Sequence, residues 1–355
     1  MTTTTVKKTN IETNPGALRQ AMFSRLRRRT RLSGEIVFPC VPALLDHYAT
    51  QLLAIFTAAG RHFTRAELEH LKTMMARQLA EGFAAAPYAR LRICYETDAP
   101  PSLSLSYRIF TEISTMADQY QSWVETRTPP LFGSHPDAKL MTVLASLGGD
   151  PARQPVLDVG AGTGRNTIPV AQAGFPTDAV EPAPALAAEL HKAVDAARVP
   201  VRIHESDFFD PTLMLPAAHY AVIVLAEVVS HFRSTAELKA LFTRASALLR
   251  PGGLLLFSTF LPRKGFKPEA LVRELAQVFW CSVFTRGELE NAAHGCPLER
   301  VSDESVYEFE KAHLAPEAWP PVPWYAEWTS GQDLFDLPAD KTPIEMRWLA
   351  YRKQA

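Results

Sequence analysis

A glycine-rich turn is the first place where this sequence could do chemistry. Val156, Leu157, Asp158 and Val159 make a short apolar run with one acid inside it. Glycines then stand at 160, 162 and 164, around Ala161, and Arg165 and Asn166 follow. The pattern predicts a strand, a tight loop and a helix N-terminus, where backbone N–H groups and the helix dipole favour a negatively charged ligand group. Glycine lets the backbone approach such a ligand where any Cβ would intrude. The spacing is not that of a dinucleotide fold, because position 165, where a third glycine belongs, is arginine. Tyr120, Trp123 and Arg127 fall at i, i+3 and i+7, one face of a helix. That face either shields a reacting centre from water and offers Arg127 to a carboxylate, or simply packs on a core. Trp319, Trp324, Tyr325 and Trp328, stiffened by Pro320, Pro321 and Pro323, form a second aromatic group. Indole faces stabilise cations and stack on flat groups, and the same rings would also serve to cover a sheet.

On residues 156–166 the chain resembles motif I of the Rossmann-like (class I) S-adenosylmethionine-dependent methyltransferases, and further matches follow in that family's order. Val180-Glu181-Pro182 ends a second strand, with Glu181 roughly 20 residues past the first glycine, the usual distance for an acid that binds ribose hydroxyls. His204-Glu205-Ser206-Asp207-Phe208 ends a third strand. Residues 221–227 are a continuous apolar fourth, followed by Val228-Val229-Ser230-His231-Phe232, and 248–257 are the helix–Pro-Gly-Gly–strand join. The resemblance implies S-adenosylmethionine as cofactor and no metal. It puts Asp158, Asn166 and the backbone around Gly160, Ala161, Gly162 and Gly164 at the amino-acid portion, and Glu181 at the ribose. Asp207 then meets the adenine amine, with Phe208 against the ring, although Asp207 also reads as a turn or cap residue. Glu227 and His231 are implied to lie beside the sulfonium and are the candidates for moving a proton. An imidazole titrates near neutrality; His231 would otherwise only pack over the cofactor edge.

These elements imply an α/β fold, a Rossmann-like seven-stranded mostly parallel sheet with helices on both faces, preceded by an N-terminal mainly helical domain. Residues 1–13 are expected to be a disordered tail. Residues 14–135 are the N-terminal domain, and 136–355 the catalytic domain, with a Trp/Pro-rich insertion at about 310–343. Asn14-Pro15 opens a helix to about Ser33-Gly34 that carries Arg25, Arg27, Arg28, Arg29 and Arg31. Helical spacing recurs from Pro42 to Gly60 and from Thr64 to Phe83, with Thr64 and Glu67 as a capping box. Residues 90–110 alternate as a hairpin around Asp98-Ala99-Pro100-Pro101, and a helix spans about Glu112 to Thr126. Residues 298–309 and 344–352 alternate like an antiparallel pair closing the sheet.

Net charge is −1 over 355 residues, so nothing global points to nucleic acid or an anionic membrane. Four widely spaced cysteines, without a C-x-x-C pair, argue against a disulfide framework or zinc cluster and suit a cytoplasmic protein. The polar start lacks a signal peptide's apolar core, and no apolar run reaches the roughly 20 residues of a membrane span. The arginine run either meets an acidic partner or solvates a helix face. The partner expected is a methyl acceptor, protein or small molecule. Through Tyr120, Trp123, Arg127, Pro129-Pro130-Leu131-Phe132-Gly133, the 160–166 loop and the Trp-rich tail with Trp324 and Trp328, the chain is also similar to cyanobacterial methyltransferases, including the enzyme that methylates a phycobiliprotein asparagine. That implies a weakly nucleophilic amide acceptor on a docked protein. A small aromatic or carboxylate-bearing metabolite, or a cofactor-binding module without turnover, are the alternatives.

Overall fold

Asn14 accepts hydrogen bonds from the N–H groups of Gly16 and Ala17, and with Pro15 in the first turn it opens α1 (Pro15–Arg29). The computed structural model describes residues 11–58, 60–97 and 104–355. The helix stops at Arg29, short of the expected Ser33-Gly34, because the Ile36-Val37-Phe38 run pairs as strand β1 (Ser33–Pro39). Next come α2 (Leu45–Ala58), α3 (Arg65–Ala85), β2 (Arg90–Thr97) and β3 (Leu105–Glu112). The Thr64/Glu67 capping box forms as expected. β2 pairs antiparallel with β1 and β3, with Ile93 opposite Ile109; the turn expected at 98–101 lies outside the described residues. Leu52, Phe56, Leu71, Met75, Leu79, Leu91 and Ile93 form this unit's core. The unit is mainly helical by residue count, and its helices accompany a three-stranded sheet. Every described side chain of α1 is exposed.

The first compact unit ends at Ile113 and the second begins at Ser114. Residues 114–135, grouped by patterning with the N-terminal domain, thus belong to the second unit. There α4 (Met116–Thr126) starts at a Thr115/Asp118 capping box, not at Glu112, which ends β3. In order follow α5 (Ala138–Ser146), β4 (Val156–Val159), α6 (Thr167–Gln172), β5 (Thr177–Val180), α7 (Pro184–Ala197), β6 (Val201–His204), β7 (Tyr220–Leu225), α8 (Thr235–Leu248) and β8 (Leu249–Pro262). The chain continues through α9 (Ala270–Val278), α10 (Arg286–Ala293), β9 (Leu298–Ser305), α11 (Val306–His313), α12 (Tyr325–Ser330), α13 (Gln332–Phe335) and β10 (Ile344–Lys353).

Seven strands form one sheet in the order β6-β5-β4-β7-β8-β10-β9, parallel except for β10, which runs antiparallel to both neighbours. The strands β4, β5 and β7 are buried along their whole length, as parallel strands covered on both faces must be. Alternation divides them between two cores. Leu157, Ile223 and Leu225 pack with Leu238 and Phe242 of α8, while Val156, Val222 and Val224 pack with Leu140 and Val143 of α5. The 310–343 insertion carries the second half of α11 and all of α12 and α13, and gives Val322, Tyr325 and Trp328 to the second core. Among the described residues no helix is long and apolar enough to cross a membrane.

Candidate active site

The strand order reverses between β4 and β7, and in open α/β sheets such a switch point leaves a crevice at the carboxyl ends of the strands. The β4–α6 loop turns there with its backbone bare. Gly160 has φ +71° and its N–H bonds Val180 O; a Cβ on it would lie 2.3 Å from Val228 Cγ2. The N–H of Gly162 donates to Glu181 Oε2 and that of Ala183 to Glu181 Oε1, both at 2.8 Å. Each oxygen keeps acceptor capacity on its remaining lone pair. Burial raises the Glu181 carboxyl above the usual carboxylate range, and these two N–H groups pull the other way.

Arg165, first notable as a departure from the dinucleotide pattern, is the centre of a buried ion cluster. It donates to Asp137 at 2.7 and 3.2 Å and to Glu227 at 2.6 Å. Asn166 completes the clasp, its Nδ2 donating to Asp137 Oδ2 and its Oδ1 accepting from the Asp137 N–H. Two acids share one guanidinium, so burial pushes Glu227 up to about 7 against the pull of Arg165. Glu227 also sits at φ +62°, a left-handed conformation that costs a non-glycine residue energy. Its N–H donates to Ser258 Oγ and its carbonyl accepts from Ser230 Oγ, which hold it there. Asp158 accepts from Thr167 Oγ1 at 2.6 Å, and burial raises it to about 6.

The opposite wall is aromatic. Tyr120 and Val124 pack against Leu131, Ala183 and Leu186, so the α4 stripe serves a core as well as a cavity. Trp123 stacks on Trp280 with ring centroids 5.1 Å apart, and Tyr120 meets both rings edge-on. Arg127 lies over Trp123, 3.5 Å from the ring centroid. His231 Nε2 is 3.3 Å from Tyr120 Oη, and its Nδ1, buried, has no partner among the described residues. Burial lowers His231 to about 4, so it is a neutral imidazole at neutral pH and does not titrate there as its type suggested.

These groups wall one cavity of about 550 Å³. Asp158, Gly160, Ala161, Gly162, Asn166, Glu181, Asp207, Phe208, Glu227 and His231 all line it, as do Tyr120, Trp123, Arg127, Trp324 and Trp328. Gly164 does not. A Cβ there would meet Leu190 Cδ1 at 2.9 Å and Ile168 Cδ1 at 3.1 Å, so this glycine serves the packing of α7 against the loop. Asp207 Oδ1 takes the Phe209 N–H, a turn bond that leaves its other oxygen uncommitted among the described residues. Trp328 both lines the cavity and packs edge-on against Phe260 in the core. Sequence reasoning missed Asp137 and Trp280, and no local pattern marks either. Six carboxylates line the cavity (Asp158, Glu181, Asp207, Glu227, Glu237, Asp333) against two guanidiniums, Arg127 and Arg165, which favours a cationic ligand.

Residues 132–302 match the family model described as a methyltransferase domain. No curated protein matches the chain in sequence. Among solved structures, the chain is similar to a geranyl diphosphate C-methyltransferase from Streptomyces coelicolor A3(2), crystallised with Mg2+, geranyl diphosphate and S-adenosyl-L-homocysteine. Identity is 16% over 61% of this chain and 77% of that one, with a TM-score of 0.47. A geranyl diphosphate methyltransferase in complex with SAM gives 18% identity, 61% and 85% coverage and a TM-score of 0.47. The [4+2]-cyclase SpnF gives 16%, 61% and 81%, and 0.45. The cofactor that a methyltransferase domain implies is S-adenosylmethionine.

Proposed function

From the match of residues 132–302 to a methyltransferase-domain model, we propose that this protein moves a methyl group from S-adenosylmethionine to a nitrogen or oxygen acceptor held in the cavity at the ends of β4, β5 and β7. The donor, when bound, supplies an activated methyl for in-line displacement. The residues present fit it. Glu181, fixed by two backbone N–H groups, retains lone pairs for the ribose hydroxyls. Gly160 leaves space that a side chain would have to share with Val228. The acids Asp158 and Glu227 suit a molecule with a cationic ammonium and sulfonium. Asp207, with Phe208 in the wall, is available to an adenine amine. The observation that carries the reading is this set of acids on consecutive strand ends around one cavity, inside the matched domain.

Alignment of acceptor and methyl is the main task of such a site and is worth roughly 7–11 kcal/mol of barrier. Tyr120, Trp123 and Trp280 keep water from that step. His231, neutral and tied to Tyr120, accepts a proton where the acceptor enters protonated; Glu227, near 7, is the second acceptor of a proton. A protein side-chain amide, such as a phycobiliprotein asparagine, would need one of them to polarise its N–H. The four cysteines are free thiols, which suits a cytoplasmic location.

The test is calorimetric titration with S-adenosylmethionine, S-adenosylhomocysteine and NAD. Micromolar binding of the two sulfur compounds with none of NAD supports the reading, and silence for both overturns it.

A further inference from the structure

Of the two guanidiniums at the cavity, one is committed and one is not. Arg165 is taken by Asp137 and Glu227. Arg127, at the C-terminal end of α4, sits over the Trp123 ring, 3.5 Å from its centroid, and has no carboxylate partner among the described residues. Stacking holds the guanidinium plane while leaving its in-plane N–H groups outward, the arrangement that grips a carboxylate with two parallel hydrogen bonds. The platform beneath it is stiff: Trp123 stacks on Trp280, and Tyr120 braces both rings. His231 steadies the same wall, its Nε2 3.3 Å from Tyr120 Oη. In a cavity otherwise rich in acids, Arg127 is where an anionic group meets opposite charge.

Resting on the methyltransferase reading, we propose that the acceptor is a small planar molecule bearing one carboxylate, which Arg127 holds while the body lies along the Trp123–Trp280 wall. A protein asparagine would bring no carboxylate of its own to Arg127, and the aromatic wall is built for a flat face.

The experiment is calorimetry on the full chain saturated with S-adenosylhomocysteine, using benzoate, 4-hydroxybenzoate and indole-3-acetate, each beside its neutral primary amide. The expected result is that at least one acid binds, that its amide binds at least about tenfold more weakly, and that Arg127→Gln lowers acid affinity by at least about tenfold. Affinity for S-adenosylhomocysteine should be unchanged in that variant, which also shows that it is folded, and Arg127→Lys should recover part of the loss. Acids that bind no better than amides, acids indifferent to Arg127→Gln, or no acid binding at all would overturn the proposal. So would loss of S-adenosylhomocysteine affinity in Arg127→Gln, which would assign the arginine to the donor. Absence of S-adenosylhomocysteine binding in the unaltered protein is a different failure, that of the methyltransferase reading itself.

Discussion

Lowering the pH should weaken binding of the methyl donor, and the cavity sets by how much. Without ligand, burial holds Asp158 at about 6 and Glu227 at about 7. Each carboxyl is neutral below its value, whereas a ligand with an ammonium and a sulfonium needs it charged. Binding therefore expels the protons these groups carry, and affinity rises with pH through this window. If both must ionise, affinity at pH 6 is about 15-fold lower than at pH 7.5, roughly 1–2 kcal/mol. Glu227 supplies most of it, so Glu227→Gln should leave a dependence of only about twofold over the same range. Titration at pH 6.5 in two buffers of different ionisation enthalpy counts the protons directly. About one should leave per bound donor in the unaltered protein and about 0.2 in Glu227→Gln. No proton release, or a pH profile that Glu227→Gln leaves intact, would refute the placement of the donor's cationic end at this acid pair.

Three further outcomes follow from single contacts. Glu181→Ala should weaken S-adenosylhomocysteine binding by more than about 1 kcal/mol, while His231→Ala stays near the unaltered affinity and loses turnover in proportion to its proton-accepting role; equal loss of affinity in both would contradict the division of labour. Gly160→Ala places a Cβ against Val228 at a φ of +71° and should lower stability by about 1–3 kcal/mol, read as a drop in Tm, with Val228→Ala restoring only part because the backbone strain remains. Arg165→Met strands Asp137 and Glu227 without their cation and should cost about 3–5 kcal/mol. Urea midpoints should show that loss larger at pH 8 than at pH 6, where protonation relieves the orphaned acids.

Much of the fold was legible because its signals are local. The run 221–225 is apolar without interruption and 156–159 is broken only by Asp158, a pattern that belongs to strands covered on both faces. Thr64 with Glu67 announces a helix start through three residues of sequence. The acids at 158, 181 and 207 lie within or just after successive strands, so a parallel sheet had to bring them to one edge. Signals failed where a neighbour distant in sequence decided the outcome. Ser33-Gly34, expected as the end of the first helix, went to β1 because β2, more than fifty residues on, offered a partner.

Residue types and spacing by themselves determined the order of strands and helices, the bare glycine loop and the ring of acids, since each depends on windows of a few residues. Tertiary structure alone decided the chemistry of the individual groups. Arg165 became a buried cation only because its loop lies beside Asp137 and Glu227, 28 and 62 residues away. His231 became a neutral base under Trp280 and Tyr120, and Gly164 turned from ligand loop to helix packing. A charge's cost and a proton's affinity depend on what desolvates and pairs with the group, and that is set by three-dimensional neighbours that no stretch of sequence contains.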